Sequence, residues 1–452
     1  MEEGEVLELY ELHYSDLMAM SSDLTAHPNQ LNHDLSTPSP EERRRLETVR
    51  RSVMETLGPT GSGLLSITGV PNASLLRRRL LPLARKLALL DNDQRKRILK
   101  ECGLGSDVPL KNPDRKVSSF AMQLKYTEFL ESGQAIYTPC SFARTDLDAD
   151  HSCLDSVSGD DDYKNLGHRM MQLGLCLAQV CDKAIGGKEL EKSLLESGTA
   201  KGRLIHYHSA LDNVLGKETA RRNLGSSRKM GNAKTSKGYP LLSADSAFVE
   251  NGSHEKLWQQ WHYDYGIFTV LTAPMFLVPS HLSENGITSQ LPSVTYAEEC
   301  SYPGGNSYLQ VFHPNNNAVV MVKASPESFI VQVGESADII SKGKLRPTLH
   351  CVTRPEKMDY LSRETFVVFL QPSWSKTFSL SGYNGSQRSC LDDRWSGEEN
   401  GSSRPGSKDL KEHIHKMVPP LSSRLKDGMT FAEFARETTK RYYGGGGLQS
   451  NS

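Results

Sequence analysis

The apolar positions in the first 200 residues follow the spacing of helices. Leu46, Val53 and Leu57 mark one face of a helix, and Ser39 followed by Pro40 provides a cap and a first helical residue for its amino terminus. Comparable patterns predict three further helices, over residues 74–90, 92–101 and 163–185, and one short buried strand, over residues 63–69. This part of the chain is therefore predicted to be mainly helical.

Beyond residue 200 the apolar runs become short and rich in β-branched and aromatic residues. Clusters of Gly, Pro and Asn separate these runs, a pattern that is typical of strands. The predicted strands lie at residues 203–208, 266–278, 308–312, 318–323, 328–333, 348–353 and 365–370. So many short strands in succession indicate a β-sandwich or barrel. With a last helix at about 430–443, the predicted fold class is mainly β with flanking helices (α+β).

Hydrophilic stretches divide the chain into four parts. Residues 1–38 are predicted to form an irregular arm, and the helical amino-terminal region covers 39–200, with an exposed acidic loop at about 141–162. The β-rich domain covers 201–375 and contains a basic insertion, rich in Gly and Ser, at about 213–247. Residues 376–452 are predicted to hold a flexible loop, the last helix and a disordered tail.

Three acids in the acidic loop have the spacing with which a calcium-binding loop begins. They are Asp146, Asp148 and Asp150. Such a loop next requires a Gly, and a Glu at its twelfth position. This chain has His151 and Val157 at those positions, so an exposed acidic loop is the preferred interpretation.

Composition limits the partners that we expect. The formal net charge is −1, so no overall field favours nucleic acid or an anionic membrane. No apolar run is long enough to span a bilayer. The eight Cys residues have no paired spacing and the amino terminus has no signal-peptide pattern, so we expect reduced thiols in the cytoplasm. The Lys and Arg residues of the basic insertion leave import into the nucleus open.

Three candidate metal ligands lie in the β-rich domain. His262 and Asp264 are alternate residues, so in a strand their side chains would point to the same side. His350 lies in a separate apolar run. Two imidazoles and one carboxylate on one side of a metal form the facial triad of non-haem Fe(II) oxygenases. The alternative for each His, taken singly, is a hydrogen-bonded residue of the core.

Arg363 and Thr365 are candidate contacts for an organic acid. They too are alternate residues, at the start of an apolar run that ends at Leu370. A guanidinium can hold a carboxylate through two parallel hydrogen bonds, and a hydroxyl can donate another. The pair could hold the distal carboxylate of 2-oxoglutarate while the 2-oxo acid end chelates the metal. A surface ion pair is the alternative for Arg363.

Several short motifs accompany these residues. They are Arg203-Leu-Ile-His-Tyr207, Leu309-Gln310-Val311, Val333-Gly334-Glu335, Ser341-Lys342-Gly343 and Arg363-x-Thr365. Together with the segment from His262 to Leu271, they resemble the motifs of the plant-type 2-oxoglutarate- and Fe(II)-dependent dioxygenases, a family that includes isopenicillin N synthase. The likeness is specific over residues 203–372, and it extends more loosely to the helices that begin near residue 40.

The resemblance implies a double-stranded β-helix (jelly-roll, cupin-like) core that binds Fe(II). The residues that match the family's iron ligands are His262, Asp264 and His350. Cys351 is a departure, because the family usually has Arg after the distal His. This position is not a ligand position, so the implied metal site is unaffected.

The resemblance also implies 2-oxoglutarate as the co-substrate. Arg363 and Thr365 match the positions that bind its carboxylate, and Tyr207 matches a further contact. His206 and His208, on either side of Tyr207, are then expected on the opposite face of the strand, away from the metal. The implied reaction uses O2 and releases succinate and CO2. We expect a monomer that hydroxylates, desaturates or demethylates a small organic molecule.

Two other functions remain open at the level of sequence. One is an oxidase of the same fold that uses Fe(II) and O2 without 2-oxoglutarate, which the pairing of Arg363 with Thr365 disfavours. The other is a non-catalytic binding or regulatory protein that keeps the fold. Since no ligand position is lost, the sequence disfavours this function as well.

Overall fold

The computed structural model of the chain describes residues 5–22, 39–131 except 107, 109, 111, 113 and 114, 158–225, 257–279, 297–313, 318–383, 414 and 417–443. Strands within these ranges form two sheets. They are β1 Val6–Glu8, β2 Glu11–His13, β3 Leu64–Thr68, β4 Val117–Lys125, β5 Thr199–Tyr207, β6 Leu257–His262, β7 Phe268–Thr272, β8 Met275–Pro279, β9 Ala297–Cys300, β10 Leu309–His313, β11 Ala318–Lys323, β12 Phe329–Val333, β13 His350–Thr353 and β14 Ser362–Leu370.

Helices precede, interrupt and follow these strands. They are α1 Tyr14–Ser22, α2 Pro40–Leu57, α3 Ala73–Leu89, α4 Asn92–Glu101, α5 Tyr126–Glu131, α6 Ser158–Ile185, α7 Glu189–Ser197, α8 Ala210–Gly225, α9 Glu335–Ile340, α10 Leu421–Arg424 and α11 Phe431–Tyr443. Among the described helices, none combines the length and the apolar character needed to cross a membrane.

The sheets are largely antiparallel, and together with the helices they form a mixed α/β architecture. One sheet has the strand order β1-β11-β10-β13-β6. The other has the order β2-β3-β12-β7-β14-β5-β4, with β8 added to β14 and β9 added to β8. The short strands β1 and β2 are parallel to their partners, β11 and β3. From β5 onward the chain passes repeatedly from one sheet to the other.

The strand β14 is central to the larger sheet. It pairs with β5 along one side, and with β7 and then β8 along the other. One long strand can serve two short ones because Ala273 and Pro274 separate β7 from β8, and Pro has no N–H with which to continue the ladder. The arrangement brings the first residues of β14 beside the ends of β5 and β8.

Alternate residues of β14 face two different apolar cores. Phe366 and Leu370 belong to the larger core, which also contains residues of the helices. Val367 belongs to a core that includes residues from both sheets. Arg363 and Thr365 have the same parity as Val367, so their side chains leave the strand on the side between the sheets.

The stronger periodic patterns of the sequence correspond to elements of the structure. The predicted helices over 39–57, 74–90, 92–101, 163–185 and 430–443 are α2, α3, α4, α6 and α11. At α2, Ser39 caps the helix, because its side chain accepts a 3.1 Å hydrogen bond from the N–H of Glu42. Each strand predicted beyond residue 200 is present, and the run over 266–278 is divided into β7 and β8.

The prediction of an irregular arm for residues 1–38 is wrong for residues 6–22. These residues form β1, β2 and α1, and Leu12, Leu17 and Met20 are buried. Strands of three residues are too short to show an alternating pattern. Their positions depend on pairing with β11 and β3, which are distant in sequence.

Two further segments differ from the predictions. The region 39–200 contains β4, whose apolar residues are interspersed with Ser, Gln and Lys. The basic insertion begins as the helix α8 and not as a loop. Ser209 and Asp212 explain this start, because each side chain accepts a hydrogen bond from the other residue's N–H, at 3.0 and 2.9 Å.

Most of the predicted loops lie outside the described residues. This applies to residues 141–157 of the acidic loop, whose last residues belong to α6. It applies equally to residues 226–247 of the basic insertion, to residues 384–413, and to the tail after residue 443.

Candidate functional site

Three side chains from two adjacent strands and one loop converge between the sheets. They are His262, Asp264 and His350, and one possible ligand atom of each lies within 4.8 Å of the others. The two His residues are register partners in β6 and β13, with ring centroids 4.3 Å apart. Nε2 of His262 lies 3.7 Å from Oδ1 of Asp264. No second group of this kind occurs in the described part of the chain.

Asp264 reaches this group from a loop and not from a strand. The strand β6 ends at His262, so the prediction that both residues share a strand face is wrong for Asp264. Its carboxylate is held by Thr269, whose hydroxyl donates to Oδ2 at 2.6 Å. Its backbone carbonyl accepts a 2.8 Å hydrogen bond from the N–H of Glu335, at the start of α9.

Backbone carbonyls fix the orientation of both imidazoles. Nδ1 of His262 lies 2.7 Å from the carbonyl oxygen of Gln260, and Nδ1 of His350 lies 3.0 Å from that of Thr348. A carbonyl can only accept, so Nδ1 carries the proton in each neutral ring and Nε2 carries the lone pair. Burial lowers the pKa of His262, and the neighbouring His350 lowers it further. The neutral form that a metal requires is therefore favoured.

This donor set fits a divalent metal of the iron type. Two imidazole nitrogens and one carboxylate leave further coordination positions for other ligands, which is the pattern of non-haem Fe(II) oxygenases. The carbonyl contacts of the Nδ1 atoms are those that orient ligating His residues in metalloproteins. The three residues present at the site are therefore chemically suited to hold the metal.

Arg363 is a buried cation without an acidic partner among the described residues. The residue is 3% exposed, none of the ion pairs formed by the described residues includes it, and the carboxylate of its neighbour Glu364 is bound to His206. Nε donates to the carbonyl of Ser307 at 3.2 Å, and the guanidinium lies 5.1 Å from the ring centroid of Tyr207. Burial lowers the pKa of Arg363. An uncompensated buried cation is costly, so the site favours binding of an anion.

Thr365 lies on the same side of β14 as Arg363. It is buried, and its hydroxyl donates to the carbonyl of Thr272 at 3.3 Å. Tyr207 is the register partner of Arg363 in β5, which places the three predicted co-substrate residues in one part of the larger sheet.

Gln259 connects this part of the site to the candidate metal ligands. The hydroxyl of Tyr207 donates to Oε1 of Gln259 at 2.9 Å, and Nε2 of Gln259 lies 3.0 Å from Nε2 of His262. Gln259 was not among the predicted site residues, because nothing in its spacing along the sequence sets it apart.

His206 and His208 take part in a separate buried network. Nδ1 of His206 lies 2.9 Å from the carboxylate of Glu364, and Nε2 of His208 lies 2.8 Å from the hydroxyl of Ser118. The alternation along β5 puts both His side chains on the other side of the strand from Tyr207, as predicted. Neither belongs to the candidate metal group.

Cys351 also faces away from the candidate metal group. It packs in an apolar cluster with Trp261 and Leu349, and its thiol lies 3.6 Å from Oε1 of Gln310. Burial raises the pKa of its thiol. Cys351 therefore acts as a small apolar residue on the outer face of the sheet.

The carboxyl-terminal helices support the loop that carries Asp264. The hydroxyl of Tyr442 in α11 accepts a 3.3 Å hydrogen bond from the N–H of Tyr263. Arg424 in α10 forms two hydrogen bonds with the carboxylate of Glu335, at 2.8 and 2.7 Å, and both residues are fully buried. These contacts were not predicted, because they join residues about 90 and 180 positions apart.

Comparisons with known proteins give only distant similarity. No family model and no curated protein matches the chain. Among solved structures, the chain is similar to a full-length Neurospora crassa protein in complex with alpha-KG and 5-formyluracil, with 15% identity, a TM-score of 0.46, and coverage of 92% of this chain and 99% of that chain.

Two dioxygenases for auxin oxidation are also similar. For the rice protein the identity is 15% and the TM-score 0.43, over 85% of this chain and 93% of that one. For the Arabidopsis thaliana protein, in a 2-oxoglutarate complex, the identity is 15% and the TM-score 0.40, over 81% and 94%. Similarity at this level establishes no family membership.

Proposed function

We propose that the protein is a non-haem Fe(II)- and 2-oxoglutarate-dependent dioxygenase that oxidises a small organic molecule and releases succinate and CO2. One observation carries the proposal. The Nε2 lone pairs of His262 and His350 and the carboxylate of Asp264 converge, and a backbone carbonyl fixes each imidazole from behind. Two imidazoles and one carboxylate are the donor set of such oxygenases.

The strand order supports a double-stranded β-helix core. Four strands of the larger sheet have the order β5-β14-β7-β12, and four of the smaller have β6-β13-β10-β11. Eight largely antiparallel strands in two facing sheets are the architecture of a jelly roll. In this arrangement the candidate ligands come from β6, the loop after it, and β13.

Each residue has a defined part in the proposed site. His262, Asp264 and His350 would hold the metal, which when bound supplies the one-electron and O2 chemistry. Arg363 would hold the distal carboxylate of 2-oxoglutarate through two charge-assisted hydrogen bonds. Thr365 and Tyr207 would be further contacts of the same co-substrate. The buried position of these residues limits access of bulk water.

An assay of co-substrate turnover tests this function. Protein supplied with Fe(II), O2 and 2-oxoglutarate is screened against small metabolites, and succinate is measured. We expect one or more metabolites to increase succinate release, and Asp264→Ala to abolish it while His13→Ala, at an exposed His distant in the fold, leaves it unchanged. Oxidation of a substrate without succinate would instead indicate an oxidase that does not use 2-oxoglutarate.

Several other expectations remain part of the proposal. The oxidation is hydroxylation, desaturation or demethylation, and the monomeric state and the cytoplasmic location are proposed from the sequence alone.

A further inference from the structure

A β-bulge in β6 turns Gln259 toward the candidate site. In the pairing of β6 with β13, His262 is opposite His350 and Gln259 is opposite Val352, so three steps on β6 match two on β13. In a regular strand, residues three apart would face opposite sides. The extra residue of the bulge places Gln259 and His262 on the same side, and bulges commonly redirect side chains next to active sites.

Val352 identifies the side that Gln259 faces. Val352 belongs to the apolar core that includes residues of both sheets. Directly opposed residues of an antiparallel pair project to the same side of the sheet. Gln259 therefore projects between the sheets, where its side chain is half-buried.

The contacts of Gln259 complete a row of polar groups across the site. Arg363 lies against the ring of Tyr207, Tyr207 donates to Oε1 of Gln259, and Nε2 of Gln259 lies 3.0 Å from Nε2 of His262. Since Nδ1 of His262 donates to the carbonyl of Gln260, its Nε2 is the acceptor and the Gln259 amide is the donor. The row joins the proposed carboxylate grip to the proposed metal ligands.

We propose that Gln259 is a further binding residue for the 2-oxo acid, to which its amide N–H donates a hydrogen bond. This inference rests on the proposed function. A metal at His262 would take the Nε2 lone pair that the Gln259 amide now uses. The amide N–H would then need another acceptor, because an unsatisfied donor in a closed site is unfavourable. An anionic oxygen of a 2-oxo dicarboxylic acid, lying between Arg363 and the metal, is a strong acceptor for it.

Two substitutions at Gln259 separate binding from simple structural support. Gln259→Met keeps the length of the side chain and removes its hydrogen bonds, while Gln259→Glu adds a negative charge beside His262. Gln123→Met is the matched control, since Gln123 is an exposed Gln of β4, the last strand of the larger sheet, and takes no part in the proposed site. Calorimetry measures the Kd of Mn(II) first, and then the Kd of 2-oxoglutarate for the Mn(II)-loaded protein.

We expect Gln259→Met to weaken 2-oxoglutarate binding about tenfold, which corresponds to a loss of about 1.4 kcal/mol, with the Kd of Mn(II) changed less than about threefold. For Gln259→Glu we expect opposite effects, namely Mn(II) binding as tight as wild type or tighter, and 2-oxoglutarate binding weaker than in Gln259→Met. Gln123→Met should match wild type in both measurements.

Different results contradict the inference and the proposed function. Unchanged 2-oxoglutarate affinity in folded Gln259→Met overturns the role of Gln259 and leaves the proposed function intact. Equal losses of Mn(II) and 2-oxoglutarate affinity in both variants overturn it too, since they indicate that Gln259 only supports the fold of the site. If wild-type protein binds Mn(II) but no 2-oxoglutarate, the proposed function itself fails. Should Gln259→Met not fold, the isosteric Gln259→Glu provides the decisive comparison.

Discussion

His262 and His350 are directly opposed across an antiparallel strand pair, with their ring centroids 4.3 Å apart. Each ring is held by the carbonyl of the residue two positions earlier, Gln260 in one case and Thr348 in the other. Because the same contact occurs on two adjacent strands, both Nε2 atoms are directed toward the same point. The orientation of the two imidazoles is thus set by the backbone of the sheet, whereas Asp264 is held by the side chain of Thr269.

The first prediction concerns metal affinity. We expect His350→Ala to weaken Mn(II) binding by more than about a hundredfold, because loss of a direct ligand should exceed the ten- to hundredfold effect of removing the groups that orient one. Calorimetric titration of the purified protein measures it. His13→Ala, which removes an exposed His on β2, should bind Mn(II) as wild type does. Equal affinities of the two variants would remove His350 from the site.

Replacing Arg363 should weaken co-substrate binding without lowering the stability of the protein. In Arg363→Met, 2-oxoglutarate binding to the Mn(II)-loaded protein should weaken by about ten- to a hundredfold, the worth of charge-assisted hydrogen bonds. The ligand-free protein should unfold at the same denaturant concentration as wild type or a higher one, because the substitution removes a buried charge with no acidic partner among the described residues. A structural ion pair would give the reverse, with lower stability and unchanged co-substrate affinity. Arg45→Met, at an exposed ion pair with Asp16, is the control and should change neither quantity much.

Arg424 and Glu335 form a buried ion pair, and we expect the loss of either partner to be costly mainly because it leaves the other charge unpaired. Arg424→Met leaves the Glu335 carboxylate buried without its partner, and we expect the free energy of unfolding to fall by about 3–5 kcal/mol. Adding Glu335→Gln should recover much of the loss, because the unpaired charge is then removed. Denaturant titration of both single variants and the double variant measures this coupling. Strictly additive effects would show that the two residues act independently.

The buried His208 should make the stability of the protein depend on pH. The ring is buried against Ser118, and burial, with the nearby His206, lowers its pKa below the ordinary value of 6.5. Below pH 6.5 the unfolded chain therefore takes up a proton that the folded protein does not, so stability falls with falling pH, by at most about 1.4 kcal/mol per pH unit. Above pH 6.5 this group has no effect.

The substitution His208→Gln tests this dependence, since Gln does not titrate. Unfolding measured between pH 5 and pH 7.5 should show a shallower loss of stability on acidification than in wild type. His13→Gln, at an exposed His, should keep the wild-type slope. Identical slopes for wild type and His208→Gln would contradict the assignment.

The sequence was informative where a local pattern determines the structure. The helix α2 follows from its Ser39 cap and its apolar face, and the strands beyond residue 200 follow from short apolar runs between turn residues. The candidate site residues could be chosen by residue type and spacing. Their convergence needed the pairing of β6 with β13, which joins residues 88 positions apart and is visible only in the fold.

The errors have one physical origin. Asp264 lies beyond the end of β6, Gln259 is turned by a bulge, and Tyr442 reaches the ligand loop from the last helix. Each feature depends on where a strand stops, slips or meets a distant element, and the alternation of apolar and polar residues does not encode these events. The regular structure within residues 6–22 was not predicted for the same reason, because β1 and β2 depend on pairing with strands that are distant in sequence.

The proposed function requires that one site binds Fe(II) and 2-oxoglutarate together. The most direct measurement is the visible absorption spectrum of the protein mixed with Fe(II) and 2-oxoglutarate in the absence of O2. We predict a metal-to-ligand charge-transfer band that requires both additions, is absent from Asp264→Ala, and appears in Arg363→Met only at higher 2-oxoglutarate concentration. Folded wild-type protein that gives no such band at saturating Fe(II) and 2-oxoglutarate would contradict the claim.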